Sequence, residues 1–276
     1  MSHIGPGYNH LSPESISSFL EPTAAGPSTL WAQRTAQSLK CTVAVGYPER
    51  DSSADPPRAY NSLVFVNFLG QVVGHTRKSF LYYTDETWAS EGSGFFASDL
   101  PIGPPKQGNG HMRVAAGICM DINPYKFEAP WGTYEFATHV LTSTEKLVIV
   151  SADWLTRLSE EDLQTNAMSP DMDTFGYWLE RLRPLFGPDG SPDEIIVVFA
   201  NRCGEEGISP IMGAVRYAGS STVLGMTRAH ATENGDVRIW DILGRNQEGF
   251  LVVDTNAVPR YGLVRKERAQ EANGQV

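Results

Sequence analysis

Short apolar runs alternate along the chain with longer stretches in which apolar residues recur every three or four positions. Runs of the first kind read as strands and stretches of the second kind as amphipathic helices. CTVAVGY (41–47), MRVAAGICMDI (112–122), LVIVSADW (147–154) and EIIVVFANRCG (194–204) are almost continuously apolar, as strands buried on both faces require. YAGSSTVLG (217–225) and GFLVVD (249–254) complete the strand series. NSLVFVNFLGQVVGHTRK predicts a hairpin with arms Ser62–Phe68 and Gln71–Thr76 and a turn near Leu69 and Gly70.

The helical pattern predicts Ser12–Leu20, with Ser12 as N-cap and Pro13 and Glu14 in the first turn. It predicts a second helix over Ser28–Leu39, with Leu30, Trp31, Ala32, Ala36 and Leu39 available for the buried side. Tyr134–Leu141 and Thr174–Leu185 follow, the latter with Trp178, Leu179, Leu182 and Leu185 at helical spacing. ERDSSADPPR reads as a turn-rich loop, and residues 79–110 read as a long loop because Gly and Pro recur throughout. Strands alternating with helices predict an α/β layered fold.

Composition narrows the picture. Of the 276 residues, 41% are hydrophobic and 20% charged, enough to bury one large core. The net charge of −10 disfavours a phosphate backbone as partner, so no nucleic acid is expected. Residues 1–10 have neither the basic nor the apolar region of a signal peptide, and no run approaches the roughly 20 apolar residues of a membrane helix. Cys41, Cys119 and Cys203 are too few and too dispersed for a disulfide framework, which fits a reducing, cytoplasmic setting. The six histidines show no metal-binding spacing, and no nucleotide-binding glycine pattern occurs, so no metal and no cofactor are expected.

The candidate chemistry lies at strand ends, where α/β folds place reactive groups. Cys119 closes the run AAGIC just before Asn123-Pro124, and Lys78 follows the strand GQVVGHT. A lysine beside a thiol stabilises the thiolate and a developing oxyanion. The bland alternatives are a small buried hydrophobe and a solvated surface lysine. His75 and His111 lie near the pair in sequence, so a Cys–His scheme is the rival arrangement.

RKSFLYYTDETWASEGSGFF and RVAAGICMDINPYKFEAPW resemble the nitrilase superfamily of carbon–nitrogen hydrolases, in which a lysine follows a strand and the cysteine stands in a G-x-x-C-x-D strand end. CMDINPYKFEAP, GYNHLSPESISSFLE, LWAQRTAQSLKCTVAVGYPE, FANRCGEEG and YAGSSTVLG are similar to fungal protein N-terminal amidases, which deamidate N-terminal Asn and Gln. The resemblance runs from about Gly7 to Asp254.

It implies a four-layer α-β-β-α sandwich, a homodimer, and a thioester mechanism. In that mechanism Cys119 is the nucleophile, Lys78 the lysine, Glu91 a glutamate supporting it, and the backbone N–H of Met120 an oxyanion donor. Asp121 orients the thiol loop or the substrate's amino end, or serves the turn as a structural hydrogen bond. Tyr125 and Trp131 line the pocket or pack beneath the loop, and Trp154 is pocket wall or core. Asn201, Arg202 and Glu205 are placed to bind a substrate's ammonium and backbone. Cys203 and Cys41 read as packing.

The chain departs from the family at its start. The base glutamate and its preceding proline align with Ser2 and Met1, so that base and the first strand are expected to be missing. A start called too late and a genuine truncation both account for this. Residues 1–258 are therefore read as an N-terminally incomplete hydrolase domain and 259–276 as a polar tail. The expected function is cleavage of a linear amide, on protein N-termini or on a small amide or nitrile. An inactive relative acting as a binding protein is the alternative.

Overall fold

The computed structural model describes residues 8–104, 110–187, 190–228 and 237–263. The expectations about Met1 and Ser2 lie outside these residues. The first sheet runs β1 (Glu21–Pro22), β2 (Val43–Asp51), β3 (Arg58–Val66) and β4 (Val72–Arg77) in that order. The second sheet takes β5 (Phe96–Pro101), β6 (His111–Ile118), β7 (Leu147–Ala152) and β8 (Ile195–Asn201). The chain then forms a separate hairpin of β9 (Cys203–Ser209) and β10 (Gly213–Ala218), and returns to the second sheet as β11 (Thr222–Met226), β12 (Val237–Ile242) and β13 (Tyr261–Leu263). The spatial order is β13-β12-β11-β8-β7-β6-β5, with β6, β7 and β8 parallel at its heart. The helices are α1 (Pro13–Ile16), α2 (Pro27–Leu39), α3 (Glu135–Thr142), α4 (Glu160–Thr165) and α5 (Met172–Arg181).

Alternation along β3 builds the expected four layers. Successive strand residues point to opposite faces. Val64 and Val66 turn outward to Ala32 and Ala36 of α2, together with Val45 and Tyr47. Leu63 and Phe65 turn inward to the second sheet, and the Phe65 ring stacks on Phe96 at 4.9 Å. On the far face of the second sheet, Phe136 and Val140 of α3 and Phe175 and Trp178 of α5 close the same core. The α-β-β-α arrangement follows from these contacts.

Several elements differ from the sequence expectations, each for a local reason. The close approach of α2 is made by its small residues, so Leu30, Trp31 and Leu39 stay exposed. The polar stretch after Tyr47 remains strand through Asp51 and resumes at Arg58, because Glu49 is buried and satisfied by Thr23, Ser62, His75 and Arg77. Residues 96–101, read as loop, form β5, whose alternation of half-buried and exposed positions suits an edge strand. The first helix shortens to Pro13–Ile16 behind the predicted Ser12 cap. Conversely, 249–254 forms no strand, and Phe250 and Val252 point to solvent. Tyr261–Leu263 pairs with β12 as an edge strand. Among the described residues, no helix is long and apolar enough to cross a membrane.

Trp178 is fully buried, with its ring stacked on Phe199 at 4.3 Å. Trp178→Ala is expected to cost about 3–5 kcal/mol through lost contacts and the cavity left behind. Urea unfolding of the variant against the parent measures this, and a loss below about 1 kcal/mol would contradict the packing described.

Candidate active site

Strand β6 ends at Ile118, and Cys119 to Ile122 form a tight 3-10 turn rather than a continuation of the strand. Cys119 itself adopts φ 47°, in the left-handed region that residues with a side chain seldom occupy. Such a backbone persists only where its surroundings hold it, and here Asp121 does so. Its Oδ2 accepts from the Ile118 N–H at 2.7 Å, while Oδ1 accepts from the N–H groups of Ser79 and Phe80 at 2.9 and 2.8 Å. Asp121 therefore does not share a strand face with Cys119, as alternation would require. It folds back under the turn, and Gly117 leaves room for it: a Cβ there would come within 3.3 Å of the Asp121 Cβ and 3.0 Å of the Phe136 ring. One carboxylate thus ties the segment after Lys78 to the strand end before Cys119.

Lys78 is 3% exposed, and its Nζ lies 2.5 Å from Asp85 Oδ2. The same oxygen accepts the Tyr82 N–H at 3.0 Å, and Asn61 Nδ2 donates to Oδ1 at 3.3 Å. Burial opposes the lysine's charge, but Asp85 and Cys119 outweigh it and hold its pKa above the ordinary value. Sequence reasoning assigned that supporting carboxylate to Glu91. The structure corrects this: Glu91 is exposed and accepts from the Tyr125 hydroxyl at 2.9 Å, while Asp85, on a turn seven residues after the lysine, occupies the place. The Thr84-Asp85-Glu86 run was the available signal, a turn-forming acid shortly after the lysine.

The Cys119 thiol is pushed up to about 11 by burial, against the pull of Lys78, with Asp153 and Asp85 adding to the rise. Neither His75 nor His111 takes part. His75 Nε2 is held by Glu49 at 2.9 Å and His111 sits in an exposed pair with Asp99, so the Cys–His arrangement is set aside.

Cys119 opens onto a cavity of about 660 Å³. Tyr8, Tyr82, Phe127, Trp154, Tyr177, Asp173 and Arg216 are among the residues that line it. Trp154 is thus pocket wall, in edge contact with Trp178 at 6.0 Å. Tyr125 and Trp131 are outside the lining; Trp131 packs on Tyr177 and under Arg181 instead. Asn201 is engaged structurally, accepting the Trp154 N–H at 2.7 Å and donating to the Gly219 carbonyl at 2.8 Å. Glu205 pairs with Arg216, and Arg202 with Glu206 and the Tyr217 hydroxyl, so these three do not form the ammonium site expected from NRCGEEG. Cys203 faces the Gln247 carbonyl, away from this cavity. Sequence reasoning did not single out Asp85, Asp153, Tyr8 or Tyr82. Among the described residues, no group of three or more His, Cys, Asp or Glu side chains is placed to hold a metal.

Asp121→Ala leaves three backbone donors without their acceptor. It is expected to lower stability by about 3 kcal/mol or more, since each orphaned buried group costs about 1–3 kcal/mol. Urea unfolding reads this, and a variant as stable as the parent would refute the bracket.

Comparison with known proteins shows the family and the fold. Residues 5–124 match the carbon-nitrogen hydrolase family. The chain is 32% identical over 244 residues to the protein N-terminal amidase of Schizosaccharomyces pombe, spanning 83% of this chain and 78% of that one. It is 31% identical over 169 residues to the protein N-terminal amidase of Saccharomyces cerevisiae, covering 58% of this chain and 36% of the relative. In fold it is similar to crystal structures of an N-terminal amidase with a Gln-Val peptide and with an Asn-Glu peptide. Each has a TM-score of 0.73 at 19% identity, over 87% of this chain and 84% of the other. On the strength of its similarity to the Schizosaccharomyces pombe protein and of the matching family, the chain belongs to the carbon-nitrogen hydrolases.

Proposed function

We propose that this hydrolase removes ammonia from the side-chain amide of an N-terminal Asn or Gln, through a thioester on Cys119. The observation that carries the reading is Lys78, buried in its charged form by Asp85 and facing a thiol that opens onto a cavity. The similarity to protein N-terminal amidases supplies the substrate class.

The steps follow from the groups present. The Cys119 sulfur attacks the amide carbon, a C–S bond forms, and the carbonyl oxygen takes up negative charge. That oxyanion lies between the Lys78 ammonium and the Met120 N–H, both fixed before reaction, so little reorganisation is needed. The C–N bond breaks, and the nitrogen leaves as ammonia with the thiol's proton. Water then cleaves the thioester, giving the carboxylic acid and restoring the thiol. Asp85 acts as the positioning partner of Lys78: without it, a buried ammonium would lose its proton. Trp154 and Tyr82 wall the pocket around the reacting carbon.

Ammonia release from peptides beginning with Asn, Gln or Asp tests the reading. Release is expected from Asn and Gln peptides and not from Asp peptides, and Cys119→Ala is expected to abolish it. Equal release by Cys119→Ala would remove the nucleophile from the proposal, and release only from small amides would move the substrate class. Lys78→Met is expected to lower kcat/KM by about 10²–10³-fold, the scale of losing one oxyanion donor.

The thiol's titration gives a second, independent check. With the Cys119 pKa near 11, the resting sulfur is protonated at neutral pH. Because the thiolate is the nucleophile, alkylation of Cys119 by iodoacetamide is expected to rise about tenfold per pH unit between pH 7 and about 10. A plateau already reached below pH 8 would show an activated resting thiolate instead.

A further inference from the structure

Helix α5 ends at Arg181, whose side chain turns into the protein and is 1% exposed. Its Nε donates to the Ile122 carbonyl at 2.8 Å and its Nη1 to the Trp131 carbonyl at 2.6 Å. The guanidinium carbon lies 4.6 Å from the centre of the Trp131 ring and 5.0 Å from that of Tyr134. Nη2 stands 3.6 Å from Glu135 Oε2, an ion pair without a hydrogen bond, while Glu135 Oε1 accepts the Tyr125 N–H at 3.2 Å. One turn earlier on α5, the Tyr177 hydroxyl donates to Asn123 Oδ1 at 2.5 Å.

Ile122 closes the turn that Cys119 opens, and the backbone beyond it is tied down mainly by its own turns. The N–H groups of Phe127, Glu128, Ala129 and Thr133 bond to the carbonyls of Pro124, Tyr125, Tyr125 and Pro130. Such bonds close turns without fixing the turns to the rest of the molecule. The ties of Tyr125 to Glu91 and of Lys126 to Glu86 lie on the surface. Lys126, Phe127 and Tyr134 adopt φ 53°, 57° and 45°, beside 47° at Cys119. Left-handed backbone at residues with side chains is costly and persists only with support from around it. A guanidinium suits that work, because its donors stand in a rigid fork and its flat faces stack on rings. Arg181 is not among the residues that line the cavity, so it acts on the site through this backbone.

We propose that Arg181 is a positioning residue of the reaction: from behind the cavity its guanidinium fixes the end of the Cys119–Ile122 turn, and with it the sulfur and the Met120 N–H. This rests on the thioester reading above and names what holds that site in place. Asp121 and Arg181 divide the work by chemistry. The carboxylate collects N–H donors from Ile118, Ser79 and Phe80, and the guanidinium supplies donors to the carbonyls at and beyond the end of the turn. Neither replaces the other, because an ionised carboxylate only accepts and a guanidinium only donates. A lysine at position 181 would keep the charge but place it at one point on a flexible stem, so one of the two carbonyls would lose its partner.

The test compares Arg181→Lys and Arg181→Met with the parent, using the whole chain under conditions where urea unfolding shows each to be fully folded. In both variants kcat for ammonia release from an Asn peptide is expected to fall about 10–100-fold, the scale of a reacting group displaced by up to about 1 Å. KM is expected to stay within about threefold, because the oxyanion meets the Met120 N–H only in the transition state. Hydrogen exchange read by mass spectrometry needs no turnover. Peptides from residues 119–134 are expected to exchange about tenfold faster or more in Arg181→Met, with peptides from β7 and β8 unchanged. A folded variant whose kcat stays within about twofold of the parent overturns the proposal. Faster exchange spread evenly over the chain also overturns it, since that marks a general loss of stability. Should Arg181→Met not fold, Arg181→Lys, which keeps the buried charge, supplies both readings. If the parent releases no ammonia, the deamidase reading is what fails, and exchange alone decides whether Arg181 holds the turn.

Discussion

The Asp121 carboxylate is the joint on which this structure turns. A buried carboxylate stripped of water is costly unless its lone pairs are filled by well-placed donors. Here three backbone N–H groups fill them, two from the segment after Lys78 and one from the end of β6. Lys78 arrives from the first sheet and Cys119 from the second. Hydrophobic burial alone brings two sheets together but sets their relative position loosely, because it has no direction. The carboxylate's hydrogen bonds are directional, and they set the lysine and thiol in register.

Electrostatics around the sulfur favour a neutral resting thiol. Burial and two nearby carboxylates, Asp153 and Asp85, outweigh the lysine's pull. In the proposed cycle the developing oxyanion takes up the Lys78 charge as the sulfur gives up its proton. The field is thus arranged for the charge that appears during reaction and not for a standing thiolate.

Much of this was legible in the sequence, and the residues that were not share a cause. The buried parallel strands announce themselves as continuous apolar runs, because they are covered on both faces. Cys119 and Lys78 stand at strand ends, where periodicity stops. β5 hid because an edge strand needs only modest alternation, and Gly and Pro flank it. The run 249–254 misled for the opposite reason: apolar composition does not guarantee a partner to pack on. Glu91 was a plausible carboxylate by order along the chain, yet Asp85 holds the lysine because a 3-10 turn carries it back. Asp153 gave no periodic signal at all; its neighbours Cys119 and Tyr8 come from distant parts of the chain. Long-range placement of single polar groups is the information that one-dimensional patterning does not carry.

Trp154 joins the site to the interior. Its indole forms part of the cavity wall and meets Trp178, which in turn lies flat on Phe199 of β8. Aromatic rings packed this way have no slack to absorb a change of volume. Mutational drift in the core and drift in substrate preference are consequently not independent in this protein. A sequence exploring new interior side chains behind α5 also reshapes what the mouth of the enzyme will accept.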